Sequence, residues 1–286
     1  MADVAVFTDS TASLPLDRVV RAGLGVIPLQ VVIDGRSRAE GATGASPEAV
    51  AEAIRTGRRV STSRPAIDEF AAAYRSAAEA GATAAVVLPM SARMSGTFDA
   101  ATVAARAAPI PVRVIDTGTL AMALGFAAIS AGTAAAGGGD LDRVAAAAAG
   151  RAAAAETYFV VDDLEQLRRG GRIGAAAALL GSALAVKPLL TLVDGEIRPR
   201  ERVRTANRAR IRLEELATVA MAKAYATGRR VGLAVHYLDD PAPAEELAFR
   251  LQRRAEGPLD LVITPVSAVL GVHTGPRTLG VVVSPE

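Results

Sequence analysis

The chain has 286 residues, 51% of them apolar and 22% charged, with 32 Lys plus Arg against 30 Asp plus Glu. That apolar share excludes a disordered chain, and the length suits two domains that each bury a core. The absence of Cys excludes a disulfide framework or a thiolate metal site, and two imidazoles, His236 and His273, are too few for a His-rich metal centre.

The N-terminus sets Asp3 and Asp9 around the short apolar run Val4 to Phe7. It lacks the basic head and long apolar stretch of an export signal, so a cytoplasmic location is expected. Val4 to Phe7, Val26 to Ile33, Ala84 to Leu88 and Val112 to Ile115 read as strands, and helices are predicted after Pro15, Pro65, Ser95 and Thr119. Apart from Gln30 and Arg113 the strands are apolar, the pattern of a mostly parallel sheet covered by helices on both faces. Gly, Arg, Ser and Thr between residues 34 and 46 mark a small excursion at the edge, closed by the helix start Ser46-Pro47-Glu48. Thr117 to Gly139 is an uncharged stretch long enough for a membrane span but diluted by Gly, Ser and Thr. Ile173 to Val186 is too short, and neither is predicted to cross a membrane.

After the glycines 137–139, Leu141 to Ala155 reads as an Ala-rich helix bridging two domains, divided as 1–153 and 154–286. Beyond it Tyr158 to Val161, Val186 to Leu192, Glu196 to Val203, Arg230 to His236, Leu259 to Val266 and Thr278 to Val283 read as strands. The Asp194-Gly195 dipeptide predicts a tight hairpin and therefore an antiparallel pair. With helices over Thr205 to Thr227 and Ala244 to Ala255, the second domain is expected to be α+β with a mainly antiparallel sheet. The fold class is α/β in two domains, the first a three-layer one.

Arg168 to Arg212 holds 11 basic and 3 acidic residues, so a segment of +8 stands against −6 for the remainder. No aromatic lies between Phe159 and Tyr225 to stack a base, and no helix-turn-helix or zinc signature is present, so nucleic acid is not an expected partner. Arg198, Arg200, Arg202 and Arg204 recur with period two and are predicted to share one strand face.

No phosphate-binding loop, dinucleotide fingerprint or nucleophile elbow occurs. Instead, small polar residues cluster where strands end: Thr8 to Thr11, Ser61-Thr62-Ser63 before Arg64-Pro65, and Ser91 to Thr97. At the carboxyl ends of strands in an open sheet, such hydroxyls beside helix N-termini can hold an anion, or they are helix caps. Asp9 and Asp116 would repel an anion and are expected to orient loops or cap helices. Gly170-Gly171 can end a helix and aim Arg172, and His273-Thr274-Gly275-Pro276 reads as a turn.

Taken in order, Phe7 to Thr11, Val26-Ile27-Pro28-Leu29, Thr62-Ser63-Arg64-Pro65, Ser95-Gly96-Thr97-Phe98, Gly170 to Ile173, Lys187-Pro188, Asp194-Gly195 and His273 to Pro276 resemble the DegV family of bacterial fatty-acid-binding proteins, the B subunit of fatty acid kinase. The resemblance covers nearly the whole chain. It implies two α/β domains with a long acyl chain buried in a tunnel, and a carboxylate held near their junction by Thr62 and Ser95 with their neighbours Ser63, Gly96 and Thr97. It further implies a polar network of His273, Arg172 and Arg204, with Arg202 the alternative to Arg204. The implied partners are a long-chain fatty acid and a separate ATP-dependent kinase similar to dihydroxyacetone kinases, which makes an acyl phosphate for phospholipid synthesis. No cofactor is expected. Arg64 stands where the family often has Gln, and Arg277 where a small residue is usual. The basic segment is then expected to dock on the kinase or to approach a membrane surface. Two rival readings are a serine hydrolase using Ser95 with His273, and a lipid-sensing regulator.

Overall fold

The first half of the chain alternates strand and helix. In order come β1 (Val4–Asp9), a 3₁₀ turn (Ser10–Ala12), α1 (Leu16–Arg21), β2 (Leu24–Ile27), β3 (Gln30–Ile33), β4 (Arg36–Ala39), α2 (Pro47–Arg55), β5 (Val60–Ser63), α3 (Ile67–Glu79), β6 (Ala84–Leu88), α4 (Thr97–Ala105), β7 (Val112–Val114), α5 (Ala121–Ala136) and α6 (Leu141–Ala154). The second half holds β8 (Glu156–Val160), α7 (Glu165–Arg169), a 3₁₀ segment (Gly174–Leu179), β9 (Lys187–Val193), β10 (Glu196–Val203), α8 (Ala206–Ala226), β11 (Val231–Tyr237), α9 (Ala242–Gln252), β12 (Leu259–Pro265), α10 (Ala268–Thr274) and β13 (Leu279–Pro285). The computed structural model describes residues 3–41, 44–179 and 187–286.

β2-β1-β6-β7 form a parallel sheet, and the unbroken apolar run of β6 suits its central place there. Phe7, Val87 and Val114 pack on one face against Phe70 and Tyr74 of α3 and the alanines of α4. Val6, Val86 and Leu88 pack on the other against Leu124 and Ala128 of α5 and Val144 and Ala148 of α6. The second sheet runs β10-β9-β8-β13-β11-β12 and is antiparallel except for β11 with β12. Its outer face is covered by α8 and α9 through Leu213, Met221, Leu247 and Leu251.

α5 lies between the sheets. Leu124 belongs to the first core, while Met122 and Phe126 pack against Ala234, Val262 and Val282 of the second sheet. A helix buried all round needs no charge on any face, which accounts for the uncharged stretch after Thr117. Its small residues permit close approach: a Cβ at Gly125 would sit 2.9 Å from the Ala12 carbonyl oxygen. Among the described residues no helix is long and apolar enough to cross a membrane, and residues 180–186 of the second uncharged stretch lie outside them. α6, ending one residue past the expected division, ties the layers through Arg151, which donates to Ser284 Oγ at 2.7 Å and pairs with Glu286 at 3.1 Å.

Three sequence expectations are corrected. The strand Val26 to Ile33 is two strands in different sheets, because Pro28 interrupts the ladder and Leu29 N donates instead to Ser10 Oγ at 3.0 Å. The 34–46 excursion is part of a three-stranded antiparallel sheet, β4-β3-β5, turned by Asp34-Gly35 at positive φ, the dipeptide already read as a hairpin at 194–195. It follows that Ser61 to Ser63 belong to a strand. The four arginines of 198–204 do not share a face. The register of β10 on β9 shifts between Pro199 and Glu201, and Arg204 follows the strand's end.

Candidate functional site

The two halves enclose a cavity containing about 920 Å³ of space free of atoms, its mouth included. Leu29, Met90, Met94 and Leu120 wall it from the first half, and Phe159, Leu167, Leu192 and Val281 from the second. Polar groups gather at one place. β5 turns alternate residues inward, so Thr62 points from the small sheet toward the cavity while Ser61 and Ser63 are exposed. α10 carries His273 and Thr274 in its last turn, where the sequence reads as a plain turn. Ser267 Oγ caps its start, accepting from Leu270 N at 3.1 Å, and Gly275 at φ 78° ends it.

Thr62 Oγ1 and His273 Nε2 lie 2.9 Å apart, across 211 residues of sequence. Burial, with the Arg172 charge nearby, pushes the imidazole down to about 4, so it is neutral at pH 7. Its Nδ1 is buried without a hydrogen-bond partner, and so is Thr274 Oγ1. An unpaired N–H costs more than an unpaired lone pair, which favours the tautomer in which Nε2–H donates to Thr62 and leaves the threonine hydroxyl free to donate onward. Arg172 is held by two carbonyls, Nε donating to Met94 O at 3.1 Å and Nη1 to Gly170 O at 2.6 Å. Ser95 Oγ is 2.8 Å from Thr97 Oγ1 and accepts from Thr97 N at 3.3 Å.

Of the residues singled out in the sequence, the fold brings Thr62, Ser63, Ser95, Arg172 and His273 to this cavity. Thr97 is buried behind Ser95, and Gly96 lines an adjoining recess. Arg204 is exposed and outside the cavity wall. Arg202 is exposed as well and donates to Ala178 O at 3.1 Å. Arg64 lies at the rim with Nη1 3.5 Å from Gly96 O, and Arg277 pairs with Asp162 away from the cavity. Asp9 orients loops as expected, accepting from Thr11 N at 2.9 Å and Met90 N at 2.7 Å.

Ser95 and His273 each bond elsewhere, and no hydrogen bond joins them among the described residues, so the geometry of a Ser-His nucleophile is not formed. His236, at the cavity's other side, is satisfied by Met122 N at 3.3 Å and Thr264 O at 3.2 Å. Sequence reasoning missed the walls, Met90 and Met94 above all. Their signal was available, since two of only five methionines lie in or directly before the Ser91 to Thr97 cluster.

Fold and site together define an α/β protein of two main sheets and a small third one, with an apolar cavity at the junction of its halves, ending in hydroxyls, a neutral imidazole and a guanidinium. The family model described as "Uncharacterised protein, DegV family" matches residues 3–286, and the chain belongs to the DegV family. It is similar to a DegV domain-containing protein of Streptomyces coelicolor, 53% identical over 281 residues and 98% of both chains. Among solved structures it is similar to a Thermus thermophilus DegV-family protein described for its fatty acid binding, with a TM-score of 0.90 at 31% identity, covering 99% of this chain and 100% of that one. It is also similar to DegV of Bacillus subtilis, described as a fatty acid binding protein, with a TM-score of 0.89 at 28% identity over the whole of both chains.

Proposed function

We propose that this protein binds a long-chain fatty acid and presents its carboxylate to a separate ATP-dependent kinase. The observation that carries the reading is a cavity with apolar walls and one polar end, where Thr62, Ser95, Arg172 and His273 converge. Burying a tail of about 14 methylenes gains on the order of 11 kcal/mol gross, before the cost of ordering it. The carboxylate loses water in exchange for hydroxyl donors and the field of Arg172, which keeps the cost of burying its charge tolerable. Neutral donors also leave the acid nucleophilic. The protein itself then makes no bond and needs no cofactor: the fatty acid is its ligand, and the kinase supplies nucleotide and metal. The likeness to fatty-acid-binding structures of Thermus thermophilus and Bacillus subtilis supports the binding step.

Organic extraction of the protein purified from cells, followed by mass spectrometry, is expected to release a stoichiometric long-chain acid. Thr62→Ala and Ser95→Ala each remove one donor, worth about 1.5 to 3 kcal/mol for a charged acceptor, and are expected to weaken acid binding by roughly 10-fold or more. Unchanged affinity in both variants overturns the assignment of the head-group site.

Kinase docking belongs to the basic segment in this reading. Much of that segment is locally neutralised: Arg168 and Arg169 pair with Glu165, Arg212 with Glu201 and Glu215, and Arg198 with Asp194. Arg200, exposed at the register shift, is a better candidate contact. The double variant Arg198→Glu, Arg200→Glu is expected to slow kinase turnover of the loaded protein at low salt while leaving acid binding intact. A loaded protein that no such kinase turns over would instead mark a lipid-sensing regulator.

A further inference from the structure

A strand at the edge of a sheet offers its unpaired N–H and C=O groups to any other chain, and folded proteins blunt such edges with charge, proline, bulges or brevity. Most edges here are blunted in that way. β2, β4 and β5 are four residues long and β7 three, while β10 carries Pro199, a register shift and five charged residues. β12 is the exception. It runs for seven residues, Leu259–Pro265, with no other strand beyond it among the described residues. Its proline is the last residue, and its single charge, Asp260, is held in a bidentate pair by Arg18 of α1. We propose that β12 is the interface of a homodimer, pairing antiparallel with β12 of a second copy about a two-fold axis through Leu261.

The register follows from the backbone. Val231 N donates to Pro258 O at 3.1 Å and Val266 N to Tyr237 O at 2.7 Å, so the even-numbered residues of β12 face β11, and Leu259, Leu261 and Ile263 turn their N–H and C=O groups outward. An antiparallel pair centred on Leu261 sets Leu261 opposite itself and Leu259 opposite Ile263. These residues exchange about six hydrogen bonds, which leaves no outward N–H of β12 unpaired. The side chains suit the same register, because the facing pairs on the outer face, Leu261 with Leu261 and Leu259 with Ile263, are apolar and only partly covered in the single chain. Phe249 stands on this side as well: α9 covers β11 and β12, and its other flank sends Arg250 to Glu214 of α8. Leu16, Val20 and Phe249 are the three most exposed large apolar side chains among the described residues, and α1, which carries the first two, is tied to this edge by Arg18. The pairing is self-complementary, and a two-fold closure covers both edges at once, so no filament grows from it.

Sedimentation of the full chain over about 1 to 100 µM is expected to show a monomer passing to a dimer as concentration rises. Amide exchange at Leu259, Leu261 and Ile263 is expected to slow over the same range. Ile263→Lys replaces an exposed side chain outside the cavity wall and is expected to weaken the dimer about 10-fold or more, with fatty-acid loading unchanged. Leu259→Glu is expected to weaken it likewise. Combining the two recovers association, because residues 259 and 263 lie about 13 Å apart along one strand and can form an ion pair only across the axis. A chain that stays monomeric through the whole range overturns the interface, and so does a dimer indifferent to Ile263→Lys. A folded double variant that associates no better than Ile263→Lys alone overturns the pairing centred on Leu261.

Discussion

Replacement of Gly170 by Ala is expected to abolish fatty-acid loading while leaving the rest of the fold in place. Gly170 closes α7 with φ at −75°, a conformation open to any residue, so the backbone does not demand glycine there. The demand comes from His273. A Cβ on residue 170 would overlap Nδ1 and Cε1 of the imidazole, which is buried and tied to Thr62. The ring has to leave its place, and Thr62 loses the partner that sets its hydroxyl. Overpacking of this kind costs about 1 to 3 kcal/mol. Gly171 is the control. It has φ at +69° and open space around its Cβ position, so Gly171→Ala pays only backbone strain of about 1 to 2 kcal/mol and does not touch His273. Denaturant unfolding and mass spectrometry of the extracted acid separate the two: both variants lose stability, and only Gly170→Ala loses the ligand. Normal loading in Gly170→Ala would show that the position of His273 is not part of the binding site.

Glu40 is expected to make stability depend on pH. Its side chain reaches from the end of β4 to the start of α10, where Oε1 accepts from Ala268 N, and Oε2 is buried with no partner. Burial, with the neighbouring Asp9 carboxyl adding to it, pushes Glu40 up to about 7, while Asp9 rises to about 6. An unfolded carboxylate titrates near about 4, so between about 4 and 7 the native state holds a proton that the unfolded chain has lost. Stability is therefore complete at the acid end of that window and falls as pH rises through it, by about 1.4 kcal/mol per unit and about 3 kcal/mol in all for Glu40. The two histidines work the other way. Both are held down near 4, so their contribution is present above about 6.5 and is lost on acidification.

Glu40→Gln isolates one term. It keeps the acceptor for Ala268 N and removes the ionisation, and the histidine and Asp9 contributions are largely common to both proteins. Unfolding free energies of variant and wild type measured from pH 4.5 to 8 are expected to diverge by about 3 kcal/mol, with the variant gaining relative stability toward the alkaline end. A difference that stays constant across that range would show that Glu40 is already ionised in the folded protein at low pH.

The parallel strands β1 and β6 were legible because a run such as Ala84 to Leu88 can only be covered on both faces, and the Asp194-Gly195 hairpin because few dipeptides accept two positive φ angles. The small sheet was missed although Asp34-Gly35 carries the same signal, since β4 is short, polar and exposed, β5 is half exposed, and β3 was read as the continuation of β2. Thr62, Ser95, Arg172 and His273 were grouped around one carboxylate only through the family resemblance; composition, period and capping did not bring them together. The methionine and leucine walls were not legible, because an apolar residue looks the same in sequence whether it faces a core or a cavity.

The amino-acid sequence by itself determined what is local: strands too apolar for any place but an interior, helix starts at Ser46 and Thr205, turns at Asp-Gly, and the absence of thiol chemistry. Tertiary structure alone decided that β5 and α10, 211 residues apart at their point of contact, bring a hydroxyl and an imidazole to 2.9 Å, and that the arginine row of 198–204 is broken by a register shift. The physical reason is range. Capping, φ preference and hydrophobic period act over a few residues, whereas a buried polar cluster exists only once distant segments pack together, and its protonation follows from how much water that packing removes.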